Sequence, residues 1–97
     1  MLDNLSKIDV NPESIKKIKS FLNNNVLISL ASNYEKVNSN IRLFLSYGIE
    51  DIDELFINKY YIFLEDTNVL IKKFEKFNIP VFIEIINNDC NAIDDIL

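Results

Sequence analysis

Two apolar segments, Tyr60-Tyr61-Ile62-Phe63-Leu64 and Val81-Phe82-Ile83-Glu84-Ile85-Ile86, flank a helix-like stretch that begins at Asp66. How they are read decides the fold. Both are rich in β-branched and aromatic residues, which pack well on a pleated surface. Taken as strands, with a helix between them, they give a parallel βαβ crossover over residues 60–86 and an α/β chain. Taken as a helix, the second segment opens at Pro80 and carries Val81, Phe82, Ile85 and Ile86 at helical spacing before Asn87-Asn88 stops it.

Composition favours the helix. The 97 residues include one Gly and two Pro, too few for the tight bends of an all-β chain. Turn chemistry falls to Asn, which tolerates left-handed backbone and caps helices. Hydrophobic residues make up 48% of the chain and charged residues 26%, a balance that supports one buried core at this length.

Working outward from the deciding segments, Asp66 caps a helix whose Val69, Leu70, Phe74 and Phe77 are expected on the buried side, with Lys72, Lys73 and Lys76 facing solvent and Asn78 at its end. Upstream, an amphipathic helix from about Asn38 carries Ile41, Phe44 and Leu45 and stops at Tyr47-Gly48, where Gly takes the left-handed conformation. Glu50 or Asp51 opens the next helix, with Ile52, Leu55 and Phe56 at helical spacing and Asn58-Lys59 closing it. Nearer the N-terminus, Asn11-Pro12-Glu13 is a helix start, followed by Ile15, Ile18 and Leu22 on one stripe with Phe21 beside them, up to Asn23. The short run from Val26 to Ala31 is read as helix, and a last turn or two runs through Ala92, Ile93, Ile96 and Leu97.

These segments align with one another. Ile18-Phe21-Leu22-Val26, Ile41-Phe44-Leu45-Ile49 and Ile71-Phe74-Ile79 superpose, each a helical stripe, a turn and the start of a shorter helix. The expected fold is therefore all-α: one domain over residues 1–97, a small bundle or short solenoid of two to three helix–turn–helix units at about 12–37, 38–65 and 66–97.

The stretch from Phe44-Leu45-Ser46-Tyr47-Gly48-Ile49-Glu50-Asp51-Ile52-Asp53-Glu54-Leu55-Phe56 to Leu70 and Phe74 resembles the repeat of the mitochondrial transcription termination factor family. That repeat runs as a leucine-bearing helix, a Gly-apolar turn, an acid-opened helix and a third short helix. The resemblance, over about residues 41–79, implies a helical fold and raises nucleic-acid binding. The chain departs from the pattern where the family commonly has Pro, at Tyr60 and Tyr61, and in its acidic charge.

Residues 1–49 hold six basic and four acidic side chains, residues 50–97 four basic and eleven acidic, and the net charge is −5. Such a balance discourages non-specific attraction to nucleic acids and anionic membranes. Histidine is absent, which removes the commonest general base and transition-metal ligand. Cys90 has no second Cys for a disulfide or metal site and reads as a buried core thiol, so a reducing, cytoplasmic setting is the expectation. The N-terminus from Met1 lacks the pattern of a secretory signal, and no apolar run approaches a membrane span. Acids at Glu50, Asp51, Asp53 and Glu54 suit a helix N-terminus, and their spacing is not that of a calcium loop. No catalytic residues, metal site or cofactor are expected.

Two functional expectations follow. The leading one is a non-enzymatic interaction module that binds another protein or itself through an apolar face, with Tyr60, Tyr61 and Phe82 as partner contacts. The other is nucleic-acid binding: Lys19, Arg42 and Lys72 occupy the same place in the three units, and with Lys16 and Lys73 they would form a basic row along stacked helices.

Overall fold

The structure, a computed structural model, describes residues 2–96; Met1 and Leu97 lie outside it. Its α-helices are α1 (Pro12–Phe21), α2 (Asn24–Ser32), α3 (Tyr34–Tyr47), α4 (Ile52–Lys59), α5 (Thr67–Phe74) and α6 (Ile79–Asn88). Shorter 3-10 helices fill Leu2–Lys7, Tyr60–Leu64 and Cys90–Ile96. No strand is present among the described residues, so the fold is all-α and the βαβ alternative at 60–86 is set aside.

The caps explain the helix starts. Asn11, Asn23, Asp51, Asp66 and Asn78 each accept, through a side-chain oxygen, a backbone N–H of the first turn of the helix that follows. Each such bond satisfies a donor that the helix itself leaves unpaired. At the other end of α3, Gly48 adopts φ 102°. The Ile49 and Gly48 amides donate back to the carbonyls of Phe44 and Leu45 at 3.0 and 3.1 Å, the paired bonds of a Schellman stop.

One buried cluster runs from Leu5 to Ile96, and its centre is aromatic. Phe44 of α3 meets Phe63 edge-on at 5.2 Å and Phe74 at 6.0 Å between ring centroids. Phe63 in turn stacks on Phe56 at 3.8 Å. α3 thus lies across the 60–64 segment, α5 and α6, while α1 packs on α4, and α2 on the N-terminal 3-10 helix.

Several expected positions shift. α3 begins at Tyr34 rather than near Asn38, so the division between residues 37 and 38 falls inside a helix. Its buried stripe is Val37, Ile41 and Phe44, and Leu45, a further 100° around, is exposed. α5 ends at Phe74; with only two turns it buries the pair Leu70 and Phe74, leaving Val69 and Phe77 partly exposed rather than in the core. Asn78, expected to close α5, instead caps α6. Phe21, the last residue of α1, is 65% exposed, so it does not share the buried setting of its counterparts Phe44 and Phe74. Ile71 is half-buried, where Ile18 and Ile41 are fully covered.

Candidate interaction surface

α6 carries apolar residues on its outer side as well as on the side facing the core. Phe82, Ile83 and Ile86 are buried against the core. On the opposite side Val81 and Ile85, one turn apart, are 53% and 49% exposed. Phe77 lies beside this face, its ring stacked on that of Phe82 at 4.4 Å. Within α6 the one charged side chain is the exposed Glu84, while Lys76 immediately precedes Phe77 and Asp94 is paired with Lys59.

Phe82, expected to touch a partner, is therefore a core residue. Helical phase puts it on the side facing Phe74, whose ring lies 5.7 Å away, and the outward positions go to Val81 and Ile85. Tyr61 is partly exposed, but its hydroxyl donates to Asp94 Oδ1 of the C-terminal 3-10 helix. Tyr60 is half-buried and meets the Tyr61 ring edge-on at 5.7 Å.

Asp94 also accepts from Lys59 Nζ at 2.6 Å, which completes a polar cluster of Lys59, Tyr61 and Asp94. Hydrogen bonds from Lys59 and then Tyr61 hold the Asp94 carboxyl below its usual range. The same contact with Asp94 raises Lys59 and Tyr61 above theirs. The cluster ties the C-terminal segment to α4 and the 60–64 turn. Its members are 33 and 35 residues apart in sequence, a distance at which nothing in the chain signals a pairing.

Of the basic residues, Lys16, Lys19, Arg42 and Lys72 are exposed. Lys73 is half-buried and lies 3.8 Å from Glu65, so part of its charge is already answered within the chain. The proposed row does not follow a stack of neighbours: Lys19 is on α1, which packs on α4, whereas Lys72 is on α5, which packs on α3. Cys90 is half-buried rather than sealed in the core. Burial, and then the nearby Glu54 carboxylate, push its thiol up, which favours the protonated form.

Three asparagines emerge as long-range ties. Asn38 accepts from the Asp9 amide at 2.7 Å and donates to the Lys7 carbonyl at 2.9 Å. Asn87 accepts from the Glu50 amide and donates to the Gly48 carbonyl, both at 3.0 Å. Asn40 acts similarly on the 60–65 segment. The high Asn content is a signal for caps and turns, but not for these partners.

Among the described residues no helix is long and apolar enough to cross a membrane, and no group of three or more acidic, Cys or His side chains is placed to hold a metal ion. No family model matches the chain, and neither a curated protein nor a solved structure matches it.

Proposed function

We propose that the chain is a non-enzymatic interaction module whose docking surface is the outer face of α6, and that its partner presents an apolar helix flanked by basic residues. The observation carrying this reading is the exposure of Val81 and Ile85 on a helix already buried along its other side. About half of each side chain is already covered, so burying the remainder of the two is worth roughly 1.5–3 kcal/mol in total. The exposed Glu84, next to Ile85, supplies the charge preference. It also disfavours a second copy of the same face, because pairing two such faces brings their Glu84 carboxylates together.

The test is titration of the purified chain with two helical peptides of equal length, one built of Leu and Lys and one of Leu and Glu. Binding of the basic peptide, mapped to residues 77–88 and lost in the Val81→Glu/Ile85→Glu double variant, supports the proposal. Absence of peptide binding together with no uptake of a hydrophobic dye ends it. Concentration-dependent sedimentation without peptide binding would return the face to self-association.

Nucleic-acid binding, which the repeat resemblance brings forward, is the weaker reading. It draws support from the exposure of Lys16, Lys19, Arg42 and Lys72, but Lys73 is shared with Glu65 and the net charge is −5.

A further inference from the structure

α1 carries a surface that answers the α6 face. Its bases Lys16, Lys17 and Lys19 flank the buried Ile18 in sequence and are all exposed. Among the described residues the ion pairs are Lys59 with Asp94 and Lys73 with Glu65, so none of the three α1 charges is matched within the chain. One acid, Glu13, stands against them on the helix. Phe21, the last residue of α1, is 65% exposed, the most of any large hydrophobic side chain among the described residues. Lys17 lies one helical turn before it on the same side, so base and ring are presented together.

α6 presents the complement. Val81 and Ile85 are about half exposed, and Glu84 is exposed beside Ile85. Within one chain the two faces belong to different packing groups: α1 packs on α4 and the N-terminal 3-10 helix, α6 on α3 and the C-terminal one. Charge divides in the same direction, with an excess of two bases over residues 1–49 and of seven acids over residues 50–97.

From these two faces we infer that the partner docking on α6 is a second copy of this chain, which contributes α1: the Phe21 ring covers Val81 and Ile85, and Lys17 pairs with Glu84. The inference rests on the reading of α6 as a docking surface and names its occupant. Pairing α6 with α6 sets two Glu84 carboxylates together, and pairing α1 with α1 sets free bases against free bases; the mixed pairing relieves both. Because the two surfaces differ, the contact is heterologous. Each added copy leaves an unused α1 face at one end and an unused α6 face at the other, so copies join head to tail. One ring against two aliphatic side chains is a small contact, and the association is weak.

The experiment is sedimentation velocity of the full chain at physiological salt, from about 10 µM to about 1 mM, the range that a weak contact requires. Two variants accompany the parent: Lys17→Glu/Phe21→Ala, which spoils the α1 face, and Val81→Glu/Ile85→Glu, which spoils the α6 face. All four positions are exposed, so each variant should keep the helical circular dichroism of the parent. The parent is expected to form dimers and then larger species as concentration rises. Each variant alone should associate roughly tenfold more weakly or less, because an aromatic anchor or its socket is lost. An equimolar mixture of the two holds one intact α1 face and one intact α6 face, and should form a heterodimer and stop there.

Self-association lost in the α6 variant but kept in the α1 variant shows α6 pairing with itself and overturns the inference, as does a mixture of the two folded variants that stays monomeric. A parent that is monomeric throughout, while the peptide of Leu and Lys still binds residues 77–88, overturns the second copy as occupant and leaves the docking face standing. A monomeric parent that also ignores the peptide overturns both.

Discussion

The side-chain amide of Asn40, wholly buried in α3, donates to the backbone carbonyl of Phe63 at 2.9 Å. It donates also to the Glu65 carbonyl at 2.7 Å, and its own oxygen lies 2.6 Å from the Thr67 hydroxyl. Both donors and the acceptor are thus used. The carbonyls they satisfy belong to a segment whose composition suits a strand, and a strand would have sought those bonds from a neighbouring strand. Asn40 replaces that neighbour.

Asn40→Leu, matched in branching but bulkier and with no polar group, leaves two largely covered carbonyls unpaired. It is expected to lower unfolding free energy by about 2–4 kcal/mol, read as a drop in urea midpoint at constant slope. Asn38→Leu, on a bond pair exposed to water, should cost about 1 kcal/mol or less. Equal losses from the two would show that the buried tie is not special.

Phe82 and Phe21 give opposite expectations from the same residue type. Phe82→Ala empties a site bounded by Phe74 and Phe77 and should cost about 3–5 kcal/mol. Phe21→Ala, at an exposed helix end, should fall within about 0.5 kcal/mol of the parent. Thermal or urea unfolding followed at 222 nm reads both.

Gly48 needs its positive φ, and a Cβ added there would meet only Ile83 Cγ2, at an ordinary 3.8 Å. Gly48→Ala is therefore a test of backbone strain without a clash, with an expected loss of about 1–2 kcal/mol. Gly48→Asn, better suited to the left-handed region, should lose less than Ala. An Asn variant weaker than the Ala variant would contradict this account.

The Lys59, Tyr61 and Asp94 cluster shapes stability at both ends of the pH scale. Asp94 has a depressed folded pKa, so its contribution is present above the unfolded carboxylate value and is lost as pH falls through the lower folded value. Lys59 and Tyr61 have raised folded pKa values; their contributions are present below the unfolded values near 10 and are lost as pH rises through the folded ones. Stability should be flat between these limits. Asp94→Asn should reduce the change at both, measured as urea midpoints from pH 2.5 to 11, whereas Asp95→Asn, outside the cluster, should leave the alkaline side unchanged.

Helix starts and stops were legible from local chemistry, because a cap acts on an amide two or three residues away. Asn11, Asp51, Asp66 and Gly48 stand where the sequence places them for that reason. The all-α class followed from the same local signals and the scarcity of Gly and Pro. Phe77 was misplaced because periodicity assumes that a helix continues: α5 ends at Phe74, and the turn that follows brings Phe77 against the Phe82 ring, whereas Val69, within α5, lies about 100° around the helix from the buried Leu70.

What the sequence by itself determined, then, is the all-α class, the caps at Asn11, Asp51 and Asp66, the stop at Gly48, and the burial of Ile18, Ile41, Phe44, Leu55 and Phe56. Only the tertiary structure decided that residues 60–64 form a 3-10 turn, that Phe82 faces the core while Val81 and Ile85 face out, and which segments the asparagines tie together. Those ties span 23 to 39 residues, as in Asn40 with Phe63 and Asn87 with Gly48. A hydrogen bond of that span leaves no periodic trace in the chain, because its strength depends on where two elements meet in space and not on the residues adjacent to either.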